Sequence, residues 1–202
     1  MLVFVEKLIQ MEDAMPVKLL KSIPKTMRKM NIPEETISKF SISETNESED
    51  VMDYIKQMDN ILSEEQRLMV MQEQGCCKTG IGPRAHHAFG KKHADKTLEE
   101  KVDILNKTEM PHRAPCRLNA DKTLSVYWGF ENEGKYNCVC GIVKKLPKPI
   151  DVPLTFCGCC GGHIRNTYQM SLDVKLNLKE IVSSAASSNG KKHCEFLYEI
   201  VE

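Results

Sequence analysis

Pro111-His-Arg-Ala-Pro-Cys116-Arg-Leu118-Asn-Ala-Asp-Lys122-Thr123-Leu-Ser-Val-Tyr-Trp128 is where the hydrophobic period of the chain changes. Two short runs, 116–118 and 123–128, flank Asn119-Ala-Asp-Lys122, which has the composition of a hairpin turn. Upstream the apolar residues recur at helical spacing; downstream they alternate. The pattern predicts an α+β protein: a helical N-terminal half packed on an antiparallel sheet, with a C-terminal helix–strand–strand unit. A helical region 1–110 and a sheet region 111–202 are expected to form one compact domain.

Upstream, Phe4, Val5, Leu8, Ile9, Met15, Leu19 and Leu20 sit near helical spacing, and Pro16 is expected to break the run. Asn31-Ile-Pro33-Glu-Glu reads as a helix start. The polar, acidic stretch 41–50 reads as a loop. Val51, Tyr54, Ile55, Met58, Ile61 and Leu62 make one apolar face. Ser63-Glu-Glu-Gln66 and Thr97-Leu-Glu-Glu100 are capping boxes that each open a helix, the first stopping at Gly75. The stretch 76–84 reads as a turn-rich junction.

Downstream, residues 135–145 read as a third strand, with Tyr136, Cys138, Cys140 and Ile142 on one face. Three prolines keep 146–153 extended. A helix over about 160–171 follows. Alternation over 174–182 predicts a strand with Val174, Leu176, Leu178 and Glu180 on one face, then a polar turn at 183–192 and a last strand at 193–201.

The chain has 202 residues, with Lys+Arg 28 against Asp+Glu 28 and 28% charged residues overall. That balance speaks against a nucleic-acid binder driven by phosphate neutralisation. No apolar run approaches a membrane span, and Met1–Val5 is interrupted by Glu6 and Lys7 without a basic leader. A cytoplasmic location is the expectation.

Sulfur is the outlier. There are nine cysteines, an odd number, and the pairs among them are adjacent or one residue apart, an arrangement poorly suited to pairing with each other. In a reducing compartment they read as metal ligands, redox groups or small buried hydrophobes. The densest run is Cys157-Gly-Cys159-Cys160-Gly-Gly-His163 at the start of a helix. Cysteine and imidazole are the usual zinc donors, and the helix N-terminus favours thiolate. The glycines there are expected to let the backbone turn around an ion. Cys138 and Cys140 are candidates to join that site, or else buried packing residues. Cys76 and Cys77 are a further candidate thiol site. His86 and His87 point in different directions on a helix, and His93 is off the spacing of a helical metal pair.

The stretch Cys157…Gly162-His-Ile-Arg-Asn-Thr-Tyr168…Val174-Lys-Leu-Asn-Leu-Lys-Glu180…Gly190…Cys194-Glu-Phe-Leu-Tyr-Glu-Ile200 resembles the C-terminal part of the 4-vinyl-reductase-type domain. That superfamily includes a bacteriochlorophyll vinyl-reductase component and sensor domains of aromatic-responsive regulators. The resemblance covers about residues 157–201. It implies an antiparallel sheet and helices enclosing a small-molecule pocket, and zinc ligands at Cys157, Glu180 and Cys194. The fourth ligand position falls near Ser183, so Cys159 or Cys160 would have to replace it. The cysteine-dense part resembles small cysteine-rich bacterial proteins.

The leading expectation is a metal-containing, small-molecule-binding protein with zinc at Cys157, Cys159, Cys160, His163, Glu180 and Cys194. An iron–sulfur cluster is the alternative cofactor. A thiol- or metal-dependent hydrolase or reductase and a structural-zinc interaction module are the alternative functions. The partners expected are a small-molecule ligand and, as an option, a second copy in a homodimer; neither nucleic acid nor membrane is expected.

Overall fold

The computed structural model describes residues 2–41, 47–75, 80–147 and 151–201, with side chains described from Pro16 onward. The chain begins with helix α1 (Leu2–Lys29), which runs through Pro16 and Pro24 without ending. The expected break at Pro16 is absent: α1 buries Leu19, Leu20, Ile23 and Met27 along one stripe, and that packing outweighs the lost backbone donor. Helix α2 (Glu34–Ile37) follows Pro33 as expected.

Helix α3 (Ser48–Ile61) starts inside the stretch expected to be a loop. The Asp50 carboxylate accepts from the Glu47 backbone N–H at 2.6 Å, so an acidic residue acts as the third residue of a capping box. Val51, Tyr54, Ile55 and Met58 are buried on one face, as their spacing predicts. Helices α4 (Glu64–Gln72) and α6 (Leu98–Lys107) carry the two expected boxes, closed by Gln66 N–H to Ser63 Oγ at 3.2 Å and Glu100 N–H to Thr97 Oγ1 at 3.3 Å. Helix α5 (Ile81–Lys92) lies between them and takes in Arg84, which was expected in a turn.

Strands β1 (Cys116–Leu118) and β2 (Thr123–Trp128) form the expected hairpin. A second, separate hairpin pairs β3 (Phe130–Asn132) with β4 (Lys135–Asn137). The strand expected over 135–145 is corrected here. It ends at Asn137, and Gly141–Lys144 forms the single-turn helix α7. A 3-10 turn (Leu154–Cys157) leads directly into helix α8 (Gly158–Leu172), then β5 (Lys175–Ser183) and β6 (Cys194–Val201) close the fold. The main sheet is antiparallel in the order β1-β2-β6-β5. The fold is α+β. One buried cluster runs from Leu19 in α1 to Tyr198 in β6 and joins helices and sheet. No helix among the described residues is long and apolar enough to cross a membrane.

Helix α8 is the hub. It packs on α4, α5, α6 and β5. A Cβ on Gly162 would lie 1.8 Å from the Gln72 carbonyl oxygen, and one on Gly158 would lie 2.7 Å from Met71 Cβ. A Cβ on Gly161 would meet Leu178 at 2.8 Å. The glycines of the 157–163 run therefore serve close approach between α8, α4 and the sheet, not a turn around an ion. Tyr198 Oη donates to the Gly161 carbonyl at 2.8 Å and ties β6 to the same turn. The Gln72 side chain accepts from Leu178 N–H at 3.0 Å and ties α4 to β5.

Because the Gly162 contact is backbone against backbone, no side-chain rotation relieves it. Gly162→Ala is expected to lower the unfolding free energy by about 3 kcal/mol, the upper range for overpacking. Urea denaturation checks this, and a variant within about 0.5 kcal/mol of the parent contradicts the packing account.

Candidate thiol site

Five cysteines from three stretches of chain face one small cavity. Cys138, Cys140, Cys157, Cys160 and Cys194 line it, together with Trp128, Phe156, Ser184 and Phe196. Its volume is about 20 Å³, enough for a single water-sized sphere.

Local structure explains each arrival. Cys157 ends the 3-10 turn and precedes α8; Cys160 is three residues on, so both share one helix face. Cys194 opens β6 directly opposite Trp128 of β2, which places the indole beside its sulfur. Cys138 and Cys140 sit in the turn between β4 and α7. They share a site as the sequence suggested, although through a turn and not through strand alternation.

Hydrogen-bond donors already surround the sulfurs. Ser184 Oγ lies 2.9 Å from Cys157 Sγ. That hydroxyl also accepts from Ala186 N–H at 3.1 Å, and it can donate to the sulfur when Cys157 is a thiolate. Ala185 N–H donates to Cys194 Sγ at 3.3 Å, and the Cys140 backbone N–H donates to Cys138 Sγ. Donors of this kind favour thiolate.

Burial acts the other way. It pushes the Cys157 thiol up to about 12, and raises Cys138, Cys160 and Cys194 as well. Repulsion among neighbouring thiolates adds to the rise at Cys157 and Cys160. Cys138, Cys157, Cys160 and Cys194 are therefore neutral thiols at neutral pH. Among the described residues, no group of three or more His, Cys, Asp and Glu side chains stands arranged to hold a metal ion. The described cysteines are all free thiols.

Three expected ligands lie elsewhere. Cys159 points to the other side of α8 and donates to the Gln74 carbonyl at 3.2 Å. It follows Cys157 by two residues, which on a helix is a turn of about 200°. The His163 ring packs against His112 at 5.2 Å and Trp128 at 6.3 Å. Glu180 is exposed. A β-bulge explains its direction. Leu178 pairs with Tyr198 but Glu180 with Leu197, so one extra residue on β5 turns Ile181, not Glu180, inward. Cys76 and Cys77 lie outside the described residues.

Ser184 and Trp128 were missed. A serine after a strand carries no ligand signal, and the Trp128–Cys194 pairing appears only once the β2–β6 register is known. Neither a family, nor a curated protein, nor a solved structure matches the chain.

The histidines form a separate, structural group. His86 is fully buried, with Nδ1 2.7 Å from Ser171 Oγ and Nε2 3.4 Å from the His112 carbonyl. Burial pushes its pKa down to about 4. His87 is exposed, and the His93 ring lies tilted against Phe89, centroids 4.6 Å apart. Because the folded His86 stays neutral while the unfolded side chain takes up a proton, stability is held above pH 6.5 and lost as pH falls towards 4. The loss reaches about 3 kcal/mol at most, from a folded pKa of about 4 against the ordinary 6.5. Urea denaturation at pH 7 and pH 4.5 of the parent and His86→Gln checks this. The parent is expected to lose more stability on acidification than the variant, and equal losses contradict the assignment.

Proposed function

We propose that the protein is a metal-binding protein that holds one zinc ion on cysteine thiolates at the cavity between α8, β6 and the 138–140 turn. The observation that carries this reading is the convergence of five cysteines on a space of about 20 Å³. Zinc takes four ligands at a tetrahedral centre, with Zn–S bonds of about 2.3 Å. The cavity supplies soft sulfur donors and no carboxylate or imidazole, which selects a thiophilic ion.

Binding replaces up to four thiol protons by a dication, and the cation reverses the repulsion that keeps the thiols neutral. As they stand, no three described ligands are arranged to hold an ion, so the thiol side chains would have to rotate inward to close on it. Ser184 Oγ, the Ala185 N–H and the N-terminus of α8 then offset the surplus negative charge of the thiolates.

The size of the cavity narrows the expected ligand. Pockets for organic molecules run to about 300 Å³ or more, so an ion and not an organic molecule fits here. An iron–sulfur cluster also needs more room. A nucleophilic cysteine calls for a lowered thiol pKa, and burial raises those of Cys138, Cys157, Cys160 and Cys194. Free thiols in this number suit a reducing compartment, and we place the protein in the cytoplasm. The α8–β5–β6 order is that of the 4-vinyl-reductase-type resemblance. In this reading Cys157 and Cys194 keep the ligand roles it implies, and Cys160 takes the role of Glu180.

Protein purified anaerobically under reducing conditions is expected to carry about one zinc per chain by plasma mass spectrometry. Cys160→Ser and Cys194→Ser are expected to lose most of it; Cys159→Ser and Glu180→Gln are expected to keep it. Metal-free parent protein that takes up no zinc on titration, or equal content in all four variants, overturns the reading.

A further inference from the structure

The β3–β4 ribbon stands apart from the main sheet. All residues of β3 are exposed, and β4 contributes only Tyr136 to the protein's packing. A two-stranded ribbon has little stability of its own. Tyr136 anchors it. Its N–H donates to the Gly190 carbonyl at 2.9 Å, and its ring lies edge-on to His193 with centroids 5.6 Å apart. Both contacts fall on the turn that leads into β6.

That anchor brings two thiols together. Cys138 stands two residues after Tyr136, and Cys194 stands one residue after His193. Both line the small cavity, and charge on the Cys194 sulfur is felt at Cys138. They differ in access. Cys138 is half-buried in a turn whose next residue, Val139, is 47% exposed, while Cys194 is buried at the start of β6. An accessible thiol beside a buried one suits two-step thiol–disulfide exchange, in which the first meets the external disulfide and the second resolves it.

We propose that Cys138 and Cys194 are a reversible redox pair, which a low-molecular-weight disulfide oxidises to a Cys138–Cys194 bond that staples the ribbon to β6. The Cys138 thiolate attacks one sulfur of the external disulfide, breaking its S–S bond and releasing one thiol. The Cys194 thiolate then attacks the Cys138 sulfur of the mixed disulfide and releases the second thiol. The two protein sulfurs give two electrons to the external disulfide, and their two protons leave on the two released thiols. A dithiol reductant runs the same steps backwards. Burial raises both thiols and slows the exchange, which suits a pair that equilibrates with its surroundings and not a catalyst. The inference does not rest on the zinc reading.

The test incubates reduced, metal-free full-length protein with glutathione disulfide, quenches with acid and maps linked tryptic peptides by mass spectrometry. The parent is expected to link peptide 136–144 to peptide 193–202, and dithiothreitol is expected to undo the link. Cys138→Ser and Cys194→Ser are expected to lose it. Cys140→Ser, whose change lies in the same peptide as Cys138, is expected to keep it. In limited proteolysis the linked parent is expected to be cut after Lys135 about tenfold more slowly than the reduced protein. Unlinked peptides in the parent, or a link that survives Cys138→Ser, overturns the redox pair. A link that leaves cleavage at Lys135 unchanged overturns the staple. Circular dichroism checks that each variant is folded, and the parent's linkage and its reversal stand without the variants. Because the metal is removed first, zinc uptake by the parent and formation of the link succeed or fail separately.

Discussion

The near-contact of α8 with α4 and the sheet governs this structure. With glycines at 158, 161 and 162, the helix lies against Met71, Leu178 and the Gln72 carbonyl; at Gly162 the backbone contact excludes any side chain, and at the other two a side chain would displace its neighbour. That approach sets where the first turn of α8 ends up. The 3-10 turn before it is drawn into the core with Phe156, and Cys157 and Cys160 come to face the start of β6. A wider helix–sheet spacing would separate these sulfurs from Cys194. Tyr198 and Gln72 fix the same geometry from the sheet side and from α4 through bonds to Gly161 and Leu178.

The thiol cluster carries an electrostatic tension. Desolvation and mutual repulsion hold the sulfurs protonated, while the donors from Ser184 and Ala185 are oriented to favour thiolate. A site with donors in place but too few counter-charges is stabilised by a cation. The aromatic wall of Trp128, Phe156 and Phe196 lowers the local dielectric and strengthens both effects.

What was legible in the sequence was local. The capping boxes at Ser63 and Thr97 need only four residues, and both formed. The β1–β2 hairpin and the α8–β5–β6 unit followed from period and turn composition. The misreadings have tertiary causes. Pro16 does not end α1 because the buried stripe continues beyond it. The bulge in β5 is dictated by its pairing with β6, and it reverses the direction of Glu180. The alternation over Tyr136, Cys138, Cys140 and Ile142 imitates a strand, yet no partner strand reaches beyond Asn137. At the site, the sequence presents Cys157, Cys159 and Cys160 as one ligand set ahead of a helix from about 160; the helix starts at Gly158, and its turn directs Cys159 away from the other two. The participation of Ser184 and Trp128 depended on register and was not readable.

The most direct test of the central claim is zinc K-edge X-ray absorption on protein loaded with one equivalent of zinc. The account predicts a first shell of about four sulfurs at about 2.3 Å with no nitrogen or oxygen. A shell dominated by nitrogen or oxygen at about 2.0 Å would contradict it, since the donors lining the cavity are mostly cysteine sulfurs, with the Ser184 hydroxyl and the Asn137 amide beside them.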